Sequence, residues 1–424
     1  MKKYIVLGAG IAGISAGYHA KLKNIDCKIF EANSYVGGLC SNFTIDGFRF
    51  DNAVHLSFTN DKYVRSIFDQ TDYYKHIPDS YNYSNGYWLK HPLQNNLYHL
   101  PIKEKIEIIK GFVKRNTNMK IGNYEDWLIS QYGDYFAMNY PIKYTKKYWT
   151  VDADKLSTEW LGNRMYRPSL DEVLQGAMSD ETPNTYYAKE MRYPKHGGYS
   201  SFLNPMLDKC HISLCKKAIR INADKKYVEF QDSSKYYYDN LISTIPLPNL
   251  IKMLDNVPIN IKLIAEELVA TSIALVSIGF HSPDIAKYLW FYIYDENIQT
   301  SRVYSPSLKS IDNVSENCKS SLQFEIYYSK YRPLAMQKDN LIEHVVKSLE
   351  KMNIATKEDI SMIDCRMISY GNVVYMNNMV VKRNIIKEYL KSININVAGR
   401  FGEWDYLWSD QSLLSGKNAV DNMN

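Results

Sequence analysis

Three glycines and a carboxylate near the start of the chain form a pattern that binds nucleotides. Gly8, Gly10 and Gly13 follow a short β-branched run and precede an apolar helical pattern. In such a strand–turn–helix unit, the first glycine allows a tight turn, the second lets the backbone approach a pyrophosphate, and the third brings helix against strand. Glu31 lies 23 residues beyond Gly8, where a carboxylate can accept hydrogen bonds from ribose hydroxyls. The pattern predicts a dinucleotide at a helix N-terminus.

Hydrophobic periodicity predicts the elements that position this turn. Residues 3–7 and 27–30 are predicted strands on either side of a helix over 14–22, which together form a βαβ unit. The middle of the chain is predicted to be rich in helix, with a helix over 102–130 that places Ile106, Ile109 and Phe112 on one face. Residues 152–190 are predicted to continue this helix-rich region in helical and loop segments. Strand patterns return over 226–244, 272–328 and 392–398.

This order of elements predicts an α/β protein with a Rossmann-like domain that is discontinuous in sequence, a helical insertion domain and an antiparallel β-sheet domain. We expect the Rossmann-like domain to comprise residues 1–80, 190–255 and 385–424. The mainly helical domain is predicted over 100–190, and the sheet domain over 81–99 and 256–384.

Composition excludes several classes of protein. The 424 residues suffice for two to three domains of about 150 residues each. A formal charge of +5 is too mild for nucleic-acid binding, although anionic small ligands fit it. No apolar run reaches the roughly 18 residues of a membrane span, and residues 268–280 are predicted to be a core strand. The start lacks a signal-peptide pattern, and the six cysteines show no spacing typical of a disulfide framework or zinc site, so we expect a cytoplasmic protein without structural metal or membrane insertion.

A second glycine pair favours FAD as the dinucleotide. The segment Gly37-Gly38-Leu39 resembles the FAD-binding segment of the large flavoprotein group that contains amine oxidases, protoporphyrinogen oxidases and UDP-galactopyranose mutases. Gly399 and Arg400 follow a late predicted strand, as in flavoproteins whose C-terminal segment returns to the flavin. The resemblance implies FAD rather than NAD alone, bound by Gly8, Gly10, Ala12, Gly13, Glu31, Gly37, Gly38, Leu39, Gly399, Arg400, Gln411 and Ser412.

Within this group, the chain resembles the UDP-galactopyranose mutases, the eukaryotic type in particular. The resemblance runs from residue 4 to residue 422, and its most specific parts are Arg302 and residues 399–411. The motifs that carry it, in chain order, are residues 48–58 with His55, residues 88–96, Trp149, the Trp-Leu-Gly-Asn-Arg segment 160–164, the Arg-Tyr-Pro turn with Gly197-Gly198, Trp290 with Tyr292 and Arg302, and the Gly-Arg-Phe-Gly-Glu-Trp-Asp-Tyr segment 399–406.

The resemblance assigns roles to these residues. It implies that Arg302 and Arg400 bind the diphosphate of a nucleotide sugar, which suits guanidinium groups because their forks match phosphate oxygens. It places His55 at the flavin face. The further substrate-binding residues that it implies are Arg164, Trp149, Gln94, Tyr292, Tyr304, Tyr375, Tyr406 and Phe58.

The implied reaction interconverts the pyranose and furanose forms of a nucleoside-diphosphate sugar, most simply UDP-galactopyranose and UDP-galactofuranose, for cell-surface polysaccharide such as O-antigen. In this family, reduced FAD uses its N5 as the nucleophile at the anomeric carbon. NADPH or NADH is a candidate reductant, although no second Gly-rich motif is visible. A homo-oligomer is compatible with the sequence.

Four residues depart from the family pattern and leave the substrate open. Ala53 and Val54 stand where the family usually has two glycines, which restricts the backbone beside the flavin. His91 replaces a uracil-stacking tyrosine, and Thr145 replaces an asparagine near the nucleotide, so the base and the sugar both stay open. Two other functions also stay open: an FAD-dependent oxidase or desaturase of the amine-oxidase or protoporphyrinogen-oxidase type, and a binding protein without catalysis.

Overall fold

The computed structural model describes residues 3–162, 164–186, 188–314 and 320–423. Its strands, in chain order, are β1 (Lys3–Leu7), β2 (Asp26–Phe30), β3 (Asn42–Ile45), β4 (Phe48–Asp51), β5 (Tyr73–His76), β6 (Ser80–Ser84), β7 (Tyr87–Lys90), β8 (Met191–Pro194), β9 (Ile212–Ser213), β10 (Ala218–Asn222), β11 (Tyr227–Phe230), β12 (Lys235–Tyr237), β13 (Asn240–Ser243), β14 (Ser272–Phe280), β15 (Trp290–Ile293), β16 (Arg302–Tyr304), β17 (Ser320–Tyr328), β18 (Ile360–Ile368) and β19 (Ile395–Val397).

The α-helices of the described residues are α1 (Ile11–Leu22), α2 (Lys62–Phe68), α3 (Ile102–Lys114), α4 (Tyr124–Tyr132), α5 (Asp134–Asn139), α6 (Pro141–Tyr148), α7 (Leu170–Met178), α8 (Asn204–Leu207), α9 (Leu247–Met253), α10 (Ile259–Glu267), α11 (Pro306–Lys309), α12 (Lys338–Lys351), α13 (Met379–Ser392), α14 (Gly399–Gly402) and α15 (Ser409–Asp421).

A parallel sheet carries the glycine-rich turn. Its five strands lie in the order β19-β13-β1-β2-β9, with β1 at the centre. Ile5, Val6 and Leu7 are at most 1% exposed, as in a strand that is covered on both faces. The predicted βαβ unit is present, and the sheet also takes strands from the middle and the end of the chain. This confirms the predicted α/β class with a discontinuous Rossmann-like domain.

A second, seven-stranded sheet has the order β18-β14-β17-β16-β15-β6-β7. β14 pairs antiparallel with both β17 and β18, and all its residues from Ile273 to Phe280 are buried. The predicted core strand over 268–280 is therefore present from Ser272 onward. One pairing departs from the antiparallel expectation, because β6 lies parallel to β15 and makes the sheet mixed. The two strands are some 200 residues apart in the chain, so no hairpin constrains their relative direction.

The middle of the chain contains shorter helices than predicted. The predicted helix over 102–130 is wrong as a single element: α3 and α4 are separated by a loop that contains Asn116, Asn118 and Gly122, residue types that favour turns. The Asn123 side chain accepts a hydrogen bond from the Asp126 N–H (3.0 Å) and so caps the start of α4. On α3 the core-facing residues include Ile108 and Phe112, which are 2% exposed, whereas Ile106 is 45% exposed.

In the described part of the chain, no helix is both long and apolar enough to cross a membrane. Within the same ranges, no group of three or more His, Cys, Asp or Glu side chains could hold a metal ion. Five cysteines are free thiols, and Cys318 lies outside the described residues.

Close helix packing brings the C-terminal segment to the glycine-rich turn. A Cβ at Gly416 on α15 would overlap with the backbone oxygen of Ala12 on α1, so the two helices meet backbone to backbone. The Ser15 hydroxyl donates to the Leu413 carbonyl (2.6 Å) across the same contact. The Gly399 N–H donates to the Ser415 hydroxyl (2.7 Å), which fixes the start of α14 beside the turn.

This packing predicts that Gly416→Ala destabilises the protein, even though alanine is the better helix former. The added methyl group must push α15 away from α1, and such overpacking costs about 1–3 kcal/mol. Asn418→Ala, at an exposed position of the same helix, is the matched control and should leave stability the same or slightly higher. Urea unfolding of both variants measures the difference, and an unchanged midpoint for Gly416→Ala would show that the contact is not tight.

Candidate functional site

A cavity of about 1040 Å³ is lined by residues of the parallel sheet, the helical region and the mixed sheet. Aromatic side chains form much of its wall. Among the described residues, six cationic side chains but only two carboxylates line it, so it favours anionic ligands. These charged residues are Arg164, Arg167, Lys216, Lys217, Arg302, Arg400, Glu31 and Asp410.

The glycine-rich turn forms one wall of the cavity. Gly8 has φ +99°, a conformation that L side chains rarely adopt. Gly10 is the N-cap of α1 and provides no side-chain cap, so the first N–H groups of α1 remain available to an anion. A Cβ on Gly10 would meet only the Gly38 Cα, at 4.0 Å. Gly8 thus allows the turn beside Thr244, and Gly10 leaves a space that a side chain would fill, as close approach of a pyrophosphate requires.

Glu31 is held in place by its neighbours. It is 7% exposed, and its carboxylate accepts hydrogen bonds from the Ala9 N–H (2.7 Å) and from the N–H and side-chain amide of Asn33 (both 2.8 Å). The Oε2 atom accepts a single one of these hydrogen bonds and so keeps acceptor capacity for a ribose hydroxyl. The turn, the helix N-terminus and the oriented carboxylate together fit the adenosine diphosphate part of a dinucleotide such as FAD.

Ten of the twelve predicted cofactor-binding residues line the cavity, and Gly13 and Gln411 do not. A Cβ at Gly13 would overlap with the Gly8 carbonyl oxygen, so this glycine sets the helix–strand packing. The exposed Gln411 side chain accepts a hydrogen bond from the Trp408 N–H (2.8 Å) at the start of α15. The ten that line it are Gly8, Gly10, Ala12, Glu31, Gly37, Gly38, Leu39, Gly399, Arg400 and Ser412.

His55 lies on a loop with an unusual backbone. Ala53 has φ +70°, a left-handed conformation that favours glycine. Glycine is also the residue type that the family resemblance predicts at this position. The Nδ1–H of His55 donates to the Ala53 carbonyl (3.1 Å), which leaves Nε2 as an acceptor. Burial lowers the pKa of His55 to about 4, so the ring is neutral at pH 7.

Arg302 is anchored by a carboxylate that sequence reasoning did not identify. The Glu325 side chain is fully buried, and its Oε2 accepts from the Arg302 Nε–H (2.7 Å) and the Tyr327 hydroxyl (2.8 Å). Its Oε1 accepts from the Val54 N–H (2.9 Å) on the His55 loop. Burial lowers the pKa of Arg302, but the Glu325 carboxylate and the neighbouring tyrosines together outweigh this effect, so the pKa lies above the ordinary value. One carboxylate therefore fixes both the guanidinium and the loop.

Arg400 and Arg164 are also held by acceptors of the protein. The Arg400 Nε–H donates to the Leu407 carbonyl (2.7 Å), and its Nη1 donates to the Gly371 carbonyl (3.2 Å). Arg164 donates from Nη2 to the Tyr406 carbonyl (2.8 Å), while its Nε is buried without a partner among the described residues. Because a guanidinium has five N–H donors, these arginines retain donors for a ligand in the cavity.

A pair of tyrosines lies between the two predicted diphosphate arginines. The hydroxyl oxygens of Tyr148 and Tyr406 are 3.1 Å apart. The Arg400 guanidinium carbon is 5.2 Å from the Tyr406 ring centroid, and that of Arg302 is 5.7 Å from the Tyr148 ring centroid. Burial raises the pKa of Tyr406, so its hydroxyl stays protonated and can donate. Arg302 and Arg400 thus flank a hydrogen-bonding pair.

The remaining predicted residues at the cavity extend its aromatic wall. The rings of His91 and Tyr292 have centroids 4.8 Å apart, and burial lowers the pKa of His91 to about 3. Trp149 contacts the Tyr406 ring with centroids 5.2 Å apart, and Gln94 donates from Nε2 to the Tyr166 carbonyl (2.9 Å). Phe58, Thr145, Ala53 and Val54 also line the cavity.

Tyr304 and Tyr375 do not line the cavity. Tyr304 is fully buried, and its hydroxyl donates to the Asp51 carbonyl (3.1 Å) in the protein interior. The Tyr375 hydroxyl donates to the Asp405 carboxylate and accepts from the Tyr406 N–H (3.2 Å). Both hydroxyls are used inside the protein, so these two residues support neighbouring segments.

Sequence reasoning missed Tyr144, Tyr148, Tyr327 and Glu325. Tyr144 and Tyr148 are four residues apart on α6, and this helical spacing just before Trp149 was a usable signal. Glu325 is a lone acid within the otherwise uncharged β17, a pattern that indicates a buried, paired carboxylate.

Comparisons with known proteins bear on the fold that carries this site. The family described as NAD(P)-binding Rossmann-like domain matches residues 6–71. The crystal structure of a reduced UDP-galactopyranose mutase superimposes with a TM-score of 0.93 and 25% identity, covering 99% of this chain and 93% of that one. The chain has the fold of that mutase, and the resemblance predicted from its motifs is confirmed.

Oxidoreductases share the same fold or a short stretch of sequence. A provisionally named protoporphyrinogen oxidase from Exiguobacterium sp. superimposes with a TM-score of 0.76 and 16% identity, covering 99% of this chain and 98% of that one. A 1-hydroxycarotenoid 3,4-desaturase from Flavobacterium sp. is 43% identical over 51 residues, which are 12% of this chain and 10% of the desaturase. The first similarity shows the fold alone, and the second covers only a short segment of each chain.

The buried position of Glu325 predicts a large effect of Glu325→Gln on stability. Removing the charge leaves the guanidinium of Arg302, whose side chain is 17% exposed, without its compensating anion, which costs about 1–3 kcal/mol. The matched control is Glu296→Gln, since Glu296 pairs with Lys143 (3.4 Å) at the surface and such pairs contribute less than about 1 kcal/mol. Urea unfolding compares the two variants, and equal midpoints would contradict this account of Glu325.

Proposed function

We propose that this chain is an FAD-dependent nucleotide-sugar mutase that interconverts pyranose and furanose forms, most simply UDP-galactopyranose and UDP-galactofuranose. The observation that carries the proposal is the placement of Arg302 and Arg400 on either side of the Tyr148–Tyr406 hydroxyl pair, in the cavity that also contains the dinucleotide turn. The similarity to the reduced mutase over 99% of the chain supports it.

The arginines would bind the diphosphate before and after it leaves the sugar. When bound and reduced, FAD supplies nucleophilic attack on the anomeric carbon. Arg302 and Arg400 offer charged donors to the diphosphate, which stabilise its negative charge and keep it close enough to recombine. Because the protein contacts fix each guanidinium beforehand, little side-chain entropy is lost on binding.

The cavity wall would orient the sugar and exclude water. The Tyr148 and Tyr406 hydroxyls can hydrogen-bond oxygens between the two arginines. Trp149 and Trp160 pack on each other with centroids 4.8 Å apart and limit solvent entry. Neutral His55 presents an acceptor nitrogen and carries no charge that would compete with the arginines.

The rival function is an FAD-dependent oxidase or desaturase. Such an enzyme needs an apolar or amine-binding tunnel, whereas this cavity has an excess of cationic side chains. We further propose that the protein acts in the cytoplasm, that its product enters a cell-surface polysaccharide such as O-antigen, and that NADPH, NADH or a partner protein reduces the flavin. The base and the sugar are to be identified by assay.

The direct test uses purified protein reduced with dithionite. It is incubated with UDP-galactopyranose and with a panel of TDP-linked and N-acetylated sugars, and products are separated by chromatography. A mutase yields an isomer of unchanged mass, and only when the flavin is reduced. If no sugar is isomerised, and the flavin of the oxidised, untreated protein is instead reduced with stoichiometric oxidation of another compound, the oxidase is the correct function.

Arg302→Ala and Arg400→Ala are each expected to weaken nucleotide-sugar binding about 10- to 100-fold while FAD remains bound, because each removes charged hydrogen bonds to phosphate. Arg302→Ala is also made together with Glu325→Gln, which avoids an unpaired buried carboxylate. Arg220→Ala, in a surface ion pair with Asp255, is the control. Calorimetric titration with UDP measures affinity and the flavin spectrum measures FAD content. Wild-type affinity in both arginine variants would refute the diphosphate assignment.

A further inference from the structure

Helix α3 exposes an apolar stripe that the other described residues leave uncovered. Ile102, Ile106 and Val113 are 73%, 45% and 59% exposed, and Ile109 between them is half-buried. At about 100° per residue these four side chains fall within an arc of roughly 60° on one face of the helix. An adjacent face of the helix packs inward through Ile108 and Phe112. We call the four residues the α3 stripe.

One flank of the α3 stripe is basic. Lys103, Lys110 and Lys114 are exposed and lie next to it on the helical wheel. Residues 102–121 contain six lysine or arginine residues and two glutamates, so their net charge is 6 − 2 = +4. The whole chain carries +5, which leaves only +1 for the other 404 residues. Most of the net positive charge of the protein therefore lies in the segment that contains the α3 stripe.

We propose that helix α3 docks this protein on the surface of an anionic lipid bilayer. Exposed apolar side chains beside lysines are suited to the interface of a bilayer, where the former enter the acyl boundary and the latter contact anionic headgroups. The helix lies in the plane of the interface and does not span the membrane. The proposal goes beyond the mutase reaction and does not depend on it.

Charge and hydrophobicity distinguish the bilayer from other partners. A second copy packed on the same stripe would bring two segments of charge +4 together, which is repulsive. A nucleic acid would bind the lysines through its phosphates. Its charged backbone would not bury the apolar side chains of Ile102, Ile106 and Val113. An anionic bilayer binds the lysines through its headgroups and also buries the apolar side chains at its acyl boundary.

Vesicle sedimentation of the full-length, FAD-loaded protein tests the proposal. We expect binding to phosphatidylcholine vesicles that contain phosphatidylglycerol, no binding to phosphatidylcholine alone, and release by salt. Lys103→Gln, Lys110→Gln and Lys114→Gln combined should lower the partition coefficient about 100-fold, since each cation contributes about fivefold. Ile106→Glu with Val113→Glu should abolish binding.

The matched control is Val381→Glu with Ile385→Glu, which places the same charges on exposed apolar positions of α13 (59% and 41% exposed) and should leave binding unchanged. Flavin content and the unfolding midpoint verify that each variant is folded. Absence of binding to the anionic vesicles, or equal binding by the Ile106→Glu, Val113→Glu variant, would overturn the proposal. Self-association that this variant abolishes, without vesicle binding, would identify a second copy as the occupant instead.

Discussion

Burying a carboxylate in the interior of a protein costs several kcal/mol unless hydrogen bonds and a cation compensate it, and Glu325 is buried completely. Its compensation requires Arg302 on β16, Tyr327 on its own strand and the Val54 N–H of the loop after β4. The antiparallel register, which pairs Arg302 with Glu325, brings the guanidinium and carboxylate together. Much of the geometry of the cavity follows from this one requirement.

A second buried ion pair fixes the other end of the same loop. The Lys309 Nζ lies 3.0 Å from the Asp51 carboxylate, and both side chains are almost fully buried. Lys309 also donates to the His55 carbonyl (3.2 Å), while the Tyr193 hydroxyl and the Tyr199 N–H donate to Asp51. Buried charged groups therefore bind the loop that contains His55 at both ends. These contacts keep Ala53 in its left-handed conformation.

The parts of the site that follow from local spacing were predictable from the sequence. Gly8, Gly10 and Glu31 depend on one βαβ unit, so their positions follow from the chain order. Arg302 and Arg400 were placed by resemblance, and both reach the cavity. The domain boundaries stay predictions.

Other features depend on contacts that no local pattern encodes. Tyr304 and Tyr375 match by sequence position, but position does not determine side-chain direction, and both hydroxyls bind inside the protein. Glu325 acquires its role only through strand register, and the parallel pairing of β6 with β15 joins segments that are far apart in the chain. These are consequences of tertiary packing.

The position of a bound diphosphate tests the central claim most directly. The measurement is a crystal structure of the FAD-loaded protein with UDP. The account predicts phosphate oxygens within hydrogen-bond distance of both the Arg302 and Arg400 guanidinium groups, next to the Tyr148–Tyr406 pair. A diphosphate bound elsewhere in the cavity, with neither arginine in contact, would contradict it.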